Sequence, residues 1–160
     1  MARRTPTLNT DTPTSWLLLD HQLCFALYSA SLAMTKLYKP LLQPLGLTYP
    51  QYLVMLVLWE SDGITVSQLG ERVALDSGTL TPLLKRLEAA ALLHRLRDTT
   101  DERRVLLQLT PAGRALKRSA GAVPPAVASA SGCDLGELAS LTAKLQSLRA
   151  EITASLPRVA

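Results

Sequence analysis

Two short β-patterned runs, LHRLRD (93–98) and RVLLQL (104–109), flank the charged stretch TTDER. Two strands joined by a charged tip predict a β-hairpin. It is the one clear strand signal, and the rest of the chain must be built around it from helices. Immediately before it, LDSGTLTPLLKRLEAAALL places Leu80, Leu83, Leu84 and Leu87 three and four residues apart. That spacing gives a helix with one buried face. Proline is tolerated in a first turn and not in a helix interior, so Pro82 puts the expected start near Ser77 to Thr79.

Further helices lie on either side. From Trp16 to Tyr38, apolar residues Leu19, Leu23, Ala26, Ala30, Ala33 and Leu37 recur at alternating steps of four and three. This predicts a first helix, which Pro40 and Pro44 are expected to stop. LGLTYP then reads as a turn before an apolar second helix over 51–60. After the break at Asp62-Gly63, Ser67 is the expected N-cap of a short third helix with Glu71 in its first turns. Beyond the hairpin, Thr110-Pro111 opens a helix that Gly121 and Pro124-Pro125 should kink or break. SGCDLGE is a loop, and Leu135 to Ile152 pattern a last amphipathic helix. The expectation is therefore a mainly α (α+β) chain of about six helices with one small hairpin.

The 160 residues suit a single domain over 15–160 after a disordered leader of 1–14. The longest apolar run, 52–59, is far short of a membrane span, and the N-terminus lacks the apolar core of a secretory signal. A cytoplasmic protein with no membrane partner is expected. Two cysteines 109 positions apart, with His21 and His94 isolated, offer no metal spacing, so neither metal nor cofactor is expected.

Charge is concentrated where the hairpin lies. Between Lys85 and Arg118 there are nine Lys or Arg against four acidic residues, a surplus of +5 in a chain whose net charge is +4. Helix, short helix, tight connection, helix and basic hairpin form the parts list of a winged helix-turn-helix that binds double-stranded DNA. Small residues at the start of the fourth helix, Ser77, Gly78, Thr79 and Thr81, suit entry to the major groove, with backbone N–H groups meeting phosphate. Arg103 at the hairpin tip would reach the minor groove. The lobe that reads DNA is expected over about 50–112.

The run DERRVLLQLT (101–110) resembles the D-x-R-x-x-x-x-x-L-T wing pattern of the MarR family of bacterial repressors, and the order of elements is similar to that family from Trp16 to Leu156. LCFALYSAS, YKPLL, LTYPQYLVMLVLWE and LDSGTLTPLLKRLE resemble its organic hydroperoxide resistance regulators. The resemblance implies a homodimer reading an inverted repeat, paired through helices at about 15–45 and 112–157, and not an enzyme. It also implies that Ser77, Thr79, Thr81 and Pro82 lie in the groove-facing turn with Lys85 or Arg86 near phosphate and Arg103 in the wing, that Cys24 is the peroxide-reactive cysteine, and that Tyr38 and Tyr49 hydrogen-bond its sulfur.

Cys24, Tyr28, Ser31, Thr35 and Tyr38 share one face of the first helix, but at 1.5 Å per residue Tyr38 lies about 21 Å from Cys24 along the axis. If the two meet, an antiparallel crossing of the same helix from a second subunit is the most economical arrangement. With Cys24 expected about two turns into its helix and Asp20 one turn before it, dipole and local charge offer a thiolate little help, which leaves tyrosine donors. Cys133, in its glycine-containing loop, is the expected resolving thiol, bridging to Cys24 of the other subunit as in the two-cysteine branch of that family; an idle surface cysteine is the alternative. The LVMLVLW stretch, with Leu23 and Phe25, is expected to wall the site. Two rivals stand beside this reading: a repressor induced by a small phenolic ligand, and a thiol peroxidase.

Overall fold

The computed structural model describes residues 16–99, 101 and 103–156. The expected leader lies outside the described residues. Among these, seven α-helices and one sheet follow in order: α1 Leu23–Leu42, α2 Tyr49–Glu60, β1 Ile64–Thr65, α3 Val66–Val73, α4 Ser77–Ala89, β2 Leu93–Arg97, β3 Val105–Leu109, α5 Pro111–Ala120, α6 Val123–Ser131 and α7 Leu135–Ser155. The count exceeds the expected six because the break at Gly121 is complete and divides α5 from α6.

The first helix is displaced relative to its sequence pattern. Leu19–His21 forms a separate 3-10 turn, and Gln22 is extended at φ −85° and ψ 119°, so α1 starts only at Leu23. At its other end the helix runs through Pro40 to Leu42. Proline there forfeits only the bond its missing N–H would make to the Lys36 carbonyl. Fully buried Leu42 and the Gln43 N–H donating to the Lys39 carbonyl hold the last turn in place.

One other start differs from expectation, and in α4, which begins at Ser77 as expected, the place of Pro82 differs. Thr65, not Ser67, caps α3: its hydroxyl accepts the Gln68 N–H at 3.2 Å, and its own N–H donates to the Gln68 side chain at 2.9 Å. In α4, Pro82 is the sixth helical residue and not part of the first turn, with Asp76 as N-cap. The proline survives because its neighbours Leu80, Leu84 and Leu87 bury the opposite face completely.

The hairpin is the larger part of a three-stranded antiparallel sheet in the order β1-β3-β2. Leu93 pairs with Leu109 and Arg97 with Val105, while Ile64 pairs with Leu107. Asp62 fixes the base of this sheet by accepting the Leu109 N–H at 2.8 Å and pairing with Arg114 on α5. Trp59 adds a second link, donating its indole N–H to the Gly113 carbonyl at 2.8 Å.

One core joins these elements. Val54, Met55 and Leu58 of α2 pack with Leu69, Leu80, Leu84, Leu87, Leu93 and Leu107. A helix that is apolar on all sides is a core helix, so the LVMLVLW stretch fills the reading lobe and does not wall an open site. By contrast, α7 buries none of its residues. Large apolar side chains left in solvent fall on two segments, Trp16 to Leu32 and Leu135 to Leu156, with Leu96 on the hairpin the one exception among the described residues.

Candidate DNA interface and thiol site

The start of α4 is set by Asp76. Its carboxylate accepts the Thr79 N–H at 2.9 Å and the Thr79 hydroxyl at 2.9 Å, and these bonds, backbone first, hold its carboxyl below the ordinary carboxylate value. Thr81 in turn donates its hydroxyl to the Ser77 carbonyl at 2.8 Å. Each hydroxyl has one proton to donate. Thr79 and Thr81 therefore face outward as acceptors and methyl surfaces. The anionic cap also turns the expected phosphate contact at this terminus into an unfavourable one, leaving the terminus suited to base edges. Ser77, Thr79, Thr81, Pro82, Lys85 and Arg86 are all solvent-exposed on this helix.

Arg103 projects from the hairpin with 92% of its side chain exposed, held at its root by Asp101, which accepts both its N–H at 3.1 Å and its Nε–H at 3.2 Å. Two arginines that sequence reasoning did not single out join it. Arg95 and Arg104 line, with Arg103, a cleft of about 390 Å³ between the hairpin, α4 and the start of α3. Glu88 orients Arg95 by accepting its backbone N–H at 3.0 Å and Nε–H at 2.8 Å, and the arginine holds that carboxyl below its usual value. Alternation along β2 was the signal available: Arg95 shares the inward face with Leu93, so its guanidinium cannot simply spread into solvent.

The thiol residues are divided between distant places. Cys24 is exposed and is the second residue of α1, not two turns within it, and Asp20 belongs to the preceding 3-10 turn. Tyr38 and Tyr49 come together at the other end of α1, ring centroids 4.7 Å apart, with Tyr52 at 5.8 Å from Tyr38. Burial, and then the neighbouring phenols Tyr49 and Tyr52, push the Tyr38 hydroxyl above its ordinary value. It remains a hydrogen-bond donor throughout the physiological range. Cys133 is half-buried, just beyond the left-handed Gly132 that ends α6, with its N–H 3.4 Å from the Ser131 hydroxyl. Within one protomer the structure joins the two tyrosines and leaves Cys24 about 21 Å from them along α1.

A recognition helix beside a basic hairpin on a three-stranded sheet defines a winged-helix DNA-binding protein. The family described as transcriptional regulator SarA/Rot matches residues 36–119, just over half of the chain. The organic hydroperoxide resistance transcriptional regulator of Bacillus subtilis is 51% identical over 125 residues, covering 76% of this chain and 85% of that relative. Among solved structures, AbfR of Staphylococcus epidermidis superposes with a TM-score of 0.73 at 32% identity, covering 86% of this chain and 95% of that one. Reduced AbfR bound to DNA gives 0.70, also at 32% identity, over 85% and 93% of the two chains. The chain belongs to the SarA/Rot and MarR-type winged-helix transcriptional regulators.

Proposed function

We propose that this regulator is a homodimer that holds an inverted-repeat operator while Cys24 is reduced and releases it when an organic hydroperoxide oxidises that sulfur. The observation that carries the reading is the divided sensor. Tyr38 and Tyr49 touch each other at one end of α1, and an exposed Cys24 occupies the first turn at the other. A second α1 crossing antiparallel brings each sulfur to the partner's phenols. The apolar side chains left in solvent on 16–32 and 135–156 supply the surface for that crossing, since a patch of this extent marks an interaction site.

The chemistry then needs few parts. The Cys24 thiolate attacks the hydroperoxide's terminal oxygen, an S–O bond forms as the O–O bond breaks, and the departing alkoxide takes a proton from solvent and leaves as the alcohol. The resulting sulfenic acid condenses with Cys133 of the partner, forming S–S and releasing water. Each sulfur reacts once, which makes the protein a sensor and not a catalyst. The names of its relatives support the reading: one is a regulator of organic hydroperoxide resistance, and another occupies DNA in its reduced form.

On DNA, Ser77, Thr79, Thr81 and Pro82 face base edges in the major groove, Lys85 or Arg86 lies near phosphate, and Arg103 enters the minor groove. Arg95 and Arg104, behind it in the cleft, add backbone contacts. Oxidation shifts α1 and changes the separation of the two reading helices, which must match half-sites one helical turn apart.

The test is operator binding after stoichiometric hydroperoxide. Wild-type protein is expected to release DNA and Cys24→Ser to stay bound; an equal response in the variant overturns the reading. Non-reducing electrophoresis of the oxidised protein should show a dimer-mass band that Cys133→Ser abolishes, and a band that persists removes Cys133 from the scheme.

A further inference from the structure

The crossing that joins each sulfur to the partner's phenols fixes more than that one contact. Cys24 and Tyr38 are 14 residues apart on α1, and two-fold symmetry makes their contact twice, once toward each end of the paired helices. Two contacts about 21 Å apart hold the helices antiparallel over the whole span between them. The two-fold axis then passes Ser31, midway between Cys24 and Tyr38, and each α1 residue acquires a definite opposite number. Lys39 comes level with Leu23 of the partner. Asp20 of the partner stands three residues further along, beyond the extended Gln22, at a span of about 5–7 Å that the four-carbon stem of a lysine covers.

Lys39 lies at the edge of the contact face, one turn after Thr35, whereas Lys36 is about 200° round the helix from Tyr38. Asp20 and Lys39 are both exposed, and among the described residues neither forms an ion pair within its own protomer. Few other acids compete for the lysine. No Asp or Glu occurs between Asp20 and Glu60, and Glu60 is held by Arg72. Beside Cys133, Asp134 accepts the Glu137 N–H at 2.8 Å and Glu137 accepts the Asp134 N–H at 2.9 Å, so both are engaged in capping α7. Asp20, by contrast, lies between Leu19 and Leu23, which are 59% and 56% exposed and form part of the surface that the crossing covers. A carboxylate carried into an apolar interface is costly unless a cation accompanies it.

We propose that Lys39 of each protomer pairs with Asp20 of its partner, and that these two symmetry-related ion pairs hold the crossed helices in the register that sets Cys24 against Tyr38 and Tyr49. This rests on the dimeric sensor reading above and adds two positioning residues to it. Neither side chain touches the reacting atoms. The pairs stand at the two ends of the crossing and fix how far one α1 slides along the other. A slip of one turn, about 5 Å, carries the sulfur out of reach of the phenols.

The test uses reversed charges in two full-length proteins, Lys39→Glu and Asp20→Lys. Both positions are exposed in the protomer, so neither substitution disturbs the core. Each homodimer then carries like charges at both pairs, whereas the mixed dimer of the two variants has opposite charges at both. After subunit exchange at low salt, native mass spectrometry is expected to find the mixed dimer at about nine tenths of the total instead of the statistical half, a bias within the range of exposed ion pairs. High salt should return the share toward half. Cumene hydroperoxide should oxidise Cys24 in the mixed dimer at the wild-type rate and in each homodimer about fivefold more slowly. A statistical share at low salt overturns the pairing while the sensor reading stands, and equal oxidation rates in all three dimers remove its positioning role. A monomeric wild-type protein overturns both. A wild-type dimer whose Cys24 resists cumene hydroperoxide overturns the sensor reading and, with it, the role given to the pairs.

Discussion

Tyr38 is the residue on which the proposed sensor turns, and removing its hydroxyl leaves its ring contact with Tyr49 intact. Tyr38→Phe should keep the fold and operator affinity while slowing Cys24 oxidation by about 10- to 100-fold, the range expected for one hydrogen bond to a charged group. Competition kinetics with a fixed hydroperoxide check this, and an unchanged rate removes the donor role. Arg103 makes a separate case: 92% exposed, it contributes little to packing. Arg103→Ala should therefore weaken operator binding without lowering thermal stability, and should reduce the salt dependence of binding if a phosphate contact is lost with it. Equal affinity at all salt concentrations contradicts the wing assignment. The sequence singles out Arg103 by its place at the charged hairpin tip, whereas Tyr38 is singled out only by the family resemblance, since a buried tyrosine at helical spacing reads equally as core. The depth of Cys24 in its helix was not, because the apolar stripe runs unbroken through Leu19 and Leu23 while the backbone breaks at Gln22.

Among the elements, α4 and the hairpin show what local patterning reveals and what it conceals. The Leu80 to Leu87 periodicity located the helix, and the charged tip located the turn. Strand β1 escaped because two residues carry no period; it is recognised only by its pairing with Leu106 and Leu107. The cap of α4 escaped because Asp76 and Ser77 are both acceptable N-caps, and the choice depends on the extended backbone at Asp76. Asp76 and Glu88 have folded-state pKa values below their ordinary ones, so what they contribute to stability is complete above an unfolded value of about 4 and is lost as pH falls through the lowered folded values. Thermal melts of wild type should decline below about pH 4, and Asp76→Asn should show a shallower decline; parallel curves would remove that linkage. Helix α5 offers a sharper test of packing. A methyl on Gly113 would stand 2.0 Å from the Leu92 carbonyl oxygen, where only backbone shifts make room. Gly113→Ala should destabilise the protein by about 3 kcal/mol, measured by urea unfolding. A loss below about 0.5 kcal/mol would show that α5 is free to move away from the hairpin base.

At the scale of the molecule, a compact reading lobe carries α7 and the first half of α1, whose large apolar side chains stay in solvent among the described residues. Sequence pattern predicted such faces on α1 and α7, but periodicity cannot say whether a face is covered by its own chain or by another. The proposed dimer would cover both and convert a distance of about 21 Å along α1 into a contact. The most direct measurement uses mixed dimers in which one protomer carries Cys24→Ser with its tyrosines intact and the other keeps Cys24 but carries Tyr38→Phe and Tyr49→Phe. The one remaining Cys24 in that dimer should be oxidised by hydroperoxide at the wild-type rate, since the intact phenols belong to its partner. Oxidation as slow as in the homodimer of the double-phenylalanine variant would contradict the account, placing sulfur and tyrosines within one chain or leaving the tyrosines without a role.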